Sequence, residues 1–119
     1  MALPVLEPDI SEEEMDLIAE KACEASNFLK AISHEGRLMI LCHLVTGEKS
    51  VTELEQLLSA RQAAVSQQLA RLRLEGLVTP RREGKAIYYS LTDERPKRIL
   101  ELIYDLFCNE DGQGDRAKS

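Results

Sequence analysis

The sequence predicts a mainly helical domain with one small β-hairpin, in the order helix, helix, helix, helix, strand, strand, helix. Three observations carry this prediction. Apolar residues recur at helical spacing through most of the chain, two Ser-x-x-Glu boxes mark helix starts, and the period switches to two between Val78 and Leu91. At 119 residues the chain fits one domain, at a size where burial shared between two copies would help. Apolar residues make up 44%, but Trp is absent and Phe and Tyr are few, so Leu, Ile, Val and Ala must build the interior.

Residues 1–10, with Pro4 and Pro8, read as a flexible arm, and residues 109–119, with Gly112 and Gly114 among charges, read as a frayed tail. The folded part is then 11–108. A first helix, α1, begins at Ser11, whose hydroxyl can cap the chain while Glu14 reaches back, and it runs through Leu17, Ile18, Cys23 and Phe28 to about Ile32. The second, α2, spans about 35–45, with Leu38, Leu41, Cys42 and Val45 at the spacing of a buried face and Gly47 ending it. Ser50-Val-Thr-Glu53 opens a short α3 through Leu54, Leu57 and Leu58. After a break at 59–61, α4 runs over about 62–75, with Val65, Leu69 and Leu72 inward and Gly76 as a left-handed stop.

From Val78 to Leu91, Ile87, Tyr89 and Leu91 alternate with Ala86, Tyr88 and Ser90, and Glu83-Gly84 separates two strand-like runs, giving a hairpin with a basic tip. The last helix, α5, covers about 93–108 and carries Ile99, Leu102, Ile103, Leu106 and Phe107, a strongly apolar strip expected to pair with α1 at a dimer interface. Two short helices joined by a tight turn and followed by a hairpin make a winged helix-turn-helix. The chain contains no internal repeat and no low-complexity tract.

The net charge of −6 argues at first against a nucleic-acid partner, but the charge is segregated. Residues 61–91 hold six basic side chains against two acids, while the first twenty residues hold seven acids and no Lys or Arg. Such a dipolar chain would turn its basic face toward DNA and its acidic face away. No stretch approaches the ~18 apolar residues of a membrane span, and acids stand where a secretion signal would carry basic and apolar regions, so the expected compartment is the cytoplasm, with no membrane partner. There Cys23, Cys42 and Cys108 rest as thiols, and a bridge among them would be a signal rather than a staple.

Recognition helices use short hydrogen-bonding side chains on the face opposite the core, because base edges lie deep in the major groove. Gln62, Ser66 and Gln67 fall on one side of α4, with Gln68 near its edge; Gln can bind adenine at two atoms and Ser can serve several bases. Arg61 and Arg71 flank this face as phosphate contacts, and Arg81, Arg82 and Lys85 at the hairpin tip would grip the backbone or enter the minor groove. Taken singly, each is an ordinary solvated side chain. The joint pattern of capped helix, turn, polar-faced helix, Gly stop and basic hairpin is what points to DNA.

The string Gln62-Ala-Ala-Val-Ser-Gln-Gln-Leu69, then Leu72-Arg-Leu-Glu-Gly-Leu-Val78, Arg81-Arg-Glu-Gly-Lys85 and Tyr88-Tyr-Ser-Leu91, resembles the core of ArsR-family repressors, as do Ser33-His34 and Arg37 upstream. Two positions depart from the pattern. Arg61 replaces a frequent Ser or Thr, and Gln68 replaces a His, so the base preference of better-known members does not carry over. The resemblance implies a homodimer, with α1 and α5 at the interface, that binds an imperfect inverted repeat and leaves it when an inducer arrives.

Many members of that family sense metals. Here the thiophilic Cys-x-Cys pair of α2 is replaced by Leu41-Cys-His-Leu44, and adjacent Cys42 and His43 diverge by about 100° on a helix. The α5 segment has no histidine, and His34 reads as a helix-start residue, so no metal site and no cofactor are expected. On composition alone Cys42 is a small apolar core residue and Cys108 is incidental. Both positions match, however, the persulfide-responsive dithiol branch of the family, the SqrR and BigR type, which implies that Cys42 and Cys108 form a redox sensor bridged by extra sulfur when a persulfide or polysulfide arrives. A response to metals or to general oxidants is the alternative. Cys23 is left as a buried structural residue. An enzyme is not expected, since the chain lacks a phosphate loop and a triad; a thiol peroxidase using the same cysteines is the nearest enzymatic rival.

Overall fold

Ser11 and Ser50 begin their helices as reciprocal caps. Each hydroxyl accepts the backbone N–H three residues on, from Glu14 and Glu53 respectively, and each of those carboxylates accepts the cap residue's own N–H. The computed structural model describes residues 9–59 and 62–108, with only the backbone at Gln62. Its elements are α1 (Glu12–Ile32), α2 (Glu35–Leu44), β1 (Lys49–Ser50), α3 (Val51–Leu58), α4 (Gln62–Leu74), β2 (Val78–Glu83), β3 (Ala86–Leu91) and α5 (Glu94–Phe107). Residues 1–8 of the expected arm, the whole expected tail, and Ala60 and Arg61 of the α3–α4 turn lie outside the described residues.

The core gathers around α2. Ile40, Leu41 and Leu44 pack with Leu54 of α3, with Val65, Leu69 and Leu72 of α4, with Leu77 and Val78 at the start of the hairpin and with Leu100 of α5. Helix α1 contributes Ala31 and Ile32 at its end, and most of its length runs along the surface of the chain. Gly76, at φ +78°, takes the left-handed conformation that ends α4, as its position after the last periodic leucines predicts.

The sheet is antiparallel in the order β1-β3-β2. The sequence reading missed β1 and placed the hairpin turn one residue early: Glu83 pairs with Ala86, so Gly84 and Lys85 form the two-residue loop, with Gly84 at φ +62°. Every residue of β3 is half-buried, because one face packs on the core through Tyr89 and Leu91 and the other is covered by Arg81 over Tyr88.

Arg37, in the first turn of α2, ties three helices together. Its Nε donates to the carbonyl of Ala31, and its Nη2 joins the backbone N–H and hydroxyl of Ser33 on the carbonyl of Lys30, at 3.4 Å, so it meets acceptors at the end of α1. Its Nη1 donates to Gln68 Oε1 of α4 at 3.1 Å. Arg37→Met keeps the apolar stem and removes these bonds. The variant should lose about 1–3 kcal/mol of stability in chemical denaturation, and an unchanged midpoint would show that water replaces the guanidinium without loss.

Candidate nucleic-acid interface and thiol pair

On α4, Ser66 and Gln67 are exposed on the side away from Val65, Leu69 and Leu72. Gln62 opens the helix, and its side chain lies outside the described residues, as does Arg61. Gln68 differs from expectation. It is half-buried and gives its carbonyl to Arg37, so it fixes α4 against α2 instead of joining the exposed set.

The basic residues divide by partner. Arg71 faces Glu75 one turn on at 3.6 Å. Arg81 makes a bidentate pair with Glu48, at 2.9 and 2.8 Å, bonds Glu83 at 3.0 Å and stacks over the Tyr88 ring at 4.8 Å. Those carboxylates hold its guanidinium protonated far above any working pH, and Arg81 draws Glu48 below the usual carboxylate range. The expected trio of Arg81, Arg82 and Lys85 is therefore not one unit, since Arg81 is committed within the chain while Arg82 and Lys85 are exposed. A further cation, Arg73, was missed. It lies three turns beyond Gln62 on the same side of α4, a spacing visible in the sequence.

Cys42 was expected among the buried residues of α2, but it is exposed; Leu44 takes the inward position. It lines a recess of about 290 Å³ with Val45, Leu100, Glu101 and Tyr104, where α2 meets α5. Cys108 caps the end of α5, its N–H donating to the Tyr104 carbonyl at 2.8 Å, and it too is exposed. Partial burial in the recess pushes the Cys42 thiol above its ordinary value, and charge on Cys108 pushes it further. The fold thus brings two thiols that are far apart in sequence within electrostatic reach. Cys23, expected to be buried, is exposed where α1 runs clear of the core, with the Asn27 amide 3.9 Å from its sulfur.

His34 caps α2, its Nδ1 accepting the N–H groups of Gly36 and Arg37 at 3.1 and 3.4 Å, the helix-start role its sequence position suggests. Among the described residues no three His, Cys, Asp or Glu side chains converge as a metal site, and no helix is long and apolar enough to cross a membrane.

A polar-faced helix held over a helical core, followed at once by a β-hairpin, defines a winged helix-turn-helix DNA-binding transcriptional regulator. Residues 34–79 match the family described as bacterial regulatory protein, arsR family, and the chain belongs to it. The chain is 43% identical over 100 residues to the biofilm growth-associated repressor of Agrobacterium fabrum, a match covering 84% of this chain and 86% of that protein. Among solved structures, reduced HlyU from Vibrio cholerae superposes with a TM-score of 0.73 at 40% identity, over 77% of this chain and 97% of that one. The transcriptional repressor BigR from Xylella fastidiosa gives 0.72 at 42% identity, over 83% and 98%.

The coupling of the thiols has a direct readout. Cys108→Ser removes the charge that raises Cys42, so the pH midpoint of Cys42 alkylation should move downward while staying above that of an unhindered thiol, because burial is the larger cause. A midpoint that does not move would mean the two sulfurs are not coupled.

Proposed function

We propose that this chain is a homodimeric transcriptional repressor that leaves its operator when the Cys42–Cys108 dithiol reacts with a persulfide or polysulfide. The observation that carries the reading is the placement of the thiols: Cys42 lines the recess where α2 meets α5, and Cys108 ends α5, both exposed. The names of the similar proteins, a biofilm growth-associated repressor and the repressor BigR, support repression, and a neighbour solved in a reduced form supports a redox state as the variable.

Dimerisation through α1 and α5 is supported by the apolar side chains they leave uncovered, among them Met15, Leu17, Leu102, Leu106 and, at 80% exposure, Phe107. A two-fold dimer presents two copies of α4 to an inverted repeat. Gln62, Ser66 and Gln67 would read bases, while Arg61, Arg71, Arg82 and Lys85 would meet phosphate or the minor groove. The protein acts in the cytoplasm, where the resting thiols are kept reduced.

With a polysulfide R–S–S–S–R′ as donor, one cysteine thiolate attacks the central sulfur and releases R–S⁻, leaving a mixed trisulfide. The second thiolate attacks the same sulfur and releases R′–S⁻. The two cysteines are oxidised by two electrons, the donor is reduced to two thiolates, and one sulfur remains in the bridge. That bridge fastens α5 to α2 and biases the dimer away from its DNA-binding shape, for which a coupling of about 1–3 kcal/mol, or roughly 5- to 150-fold in affinity, suffices.

The protein should select an inverted-repeat duplex from a randomised pool. Treatment with a polysulfide should then weaken binding within that range and yield a Cys42–Cys108 peptide heavier by whole sulfur atoms. An equal loss after peroxide with no sulfur added, steady peroxide turnover with a thiol reductant, or no modification at all would overturn the sulfur-specific reading.

A further inference from the structure

Strand alternation splits the two neighbouring arginines of the wing. Arg81 lies on the face that carries Glu83, opposite Tyr88, and is held there by Glu48. Arg82 lies on the other face with Pro80, opposite Ile87 and Tyr89. That second face looks toward the end of α4, and Arg73, Pro80, Arg82, Ile87 and Tyr89 together line a recess of about 270 Å³ between recognition helix and wing.

The two arginines of this recess are unlike their neighbours. Arg71, Arg81 and Arg95 each face a carboxylate within 4 Å, whereas among the described residues the guanidinium groups of Arg73 and Arg82 have no ion pair or hydrogen bond. Two like charges lining one recess without an acid repel each other, and an anion between them relieves the repulsion. The apolar floor of Pro80, Ile87 and Tyr89 gives the arginine stems a surface to lie on, and the forked guanidinium suits two oxygens of a tetrahedral anion.

We propose that Arg73 and Arg82 jointly hold one phosphate of the DNA backbone. The inference rests on the docking described above, with α4 in the major groove and the wing beside it. Whatever lies between a helix in one groove and a hairpin over the next is the sugar–phosphate strand that separates them. The seat makes the distance between α4 and the wing part of DNA recognition, although it reads no base.

The test uses the full chain and the duplex selected by the wild type, with affinity measured by fluorescence anisotropy over a series of salt concentrations. Arg73→Gln and Arg82→Gln should each weaken binding about tenfold and flatten the salt dependence by about one unit of slope. The double variant should flatten it by about one unit in total, because both side chains serve the same phosphate. Arg73→Lys and Arg82→Lys should keep the slope and lose part of the affinity, and all variants should unfold at the wild-type temperature. Single variants with unchanged slope, or a double variant that loses about two units, would overturn the shared seat. Inorganic phosphate that binds the free protein, and no longer binds Arg73→Gln, would reassign the recess to a free anion. A wild type that selects no duplex would instead defeat the docking itself, a failure distinct from the others.

Discussion

The placement of the recognition helix depends on Arg37. Its guanidinium meets two carbonyls at the end of α1 and the amide of Gln68 in α4, so one side chain of α2 sets the position of two other helices. The Lys30 carbonyl also accepts from Ser33, and a planar cation with several donors is well suited to reach it together with the Ala31 carbonyl beside the core. Gln68 immediately follows Gln67, which is exposed. The anchor and the proposed base reader are adjacent residues on one helix, so the orientation of the exposed face is fixed from within.

Helix α2 is also where DNA binding and the proposed thiol switch meet. It packs against α1, α3, α4 and α5, with Arg37 at one end and Cys42 in its last turn. In the proposed switch, the sulfur bridge would act on the same rigid element that holds α4. No separate relay is then required, because a tilt of α2 reaches the DNA-reading helix through Arg37 and through the buried Ile40, Leu41, Leu69 and Leu72.

Much of this fold is legible in the sequence because its signals are local. Ser11 with Glu14, Ser50 with Glu53, and Gly76 after Leu74 each set a helix boundary within a few residues. The features that escaped depend on distant partners. Nothing near Gln68 announces Arg37, thirty-one positions away, and nothing near Arg81 announces Glu48. The inward face of α2 was misjudged at Cys42 because Leu38, Met39, Ile40, Leu41, Leu44 and Val45 cover most of the helix circumference, leaving periodicity little to select on. Lys49–Ser50 escaped because two polar residues carry no alternation. Exposure of Cys23 could not be read from α1, whose apolar residues face outward from this chain as well as inward.

The short strand β1 has a consequence for how the molecule approaches DNA. Ser50 pairs with Tyr88 of the wing and, through its hydroxyl, caps α3, the first helix of the helix-turn-helix. One residue therefore belongs to both the wing sheet and α3. A hinge between wing and α3 would have to break a strand pairing and uncap a helix together. The backbone freedom between those two elements is surrendered during folding, so it adds little to the cost of any docking that engages both.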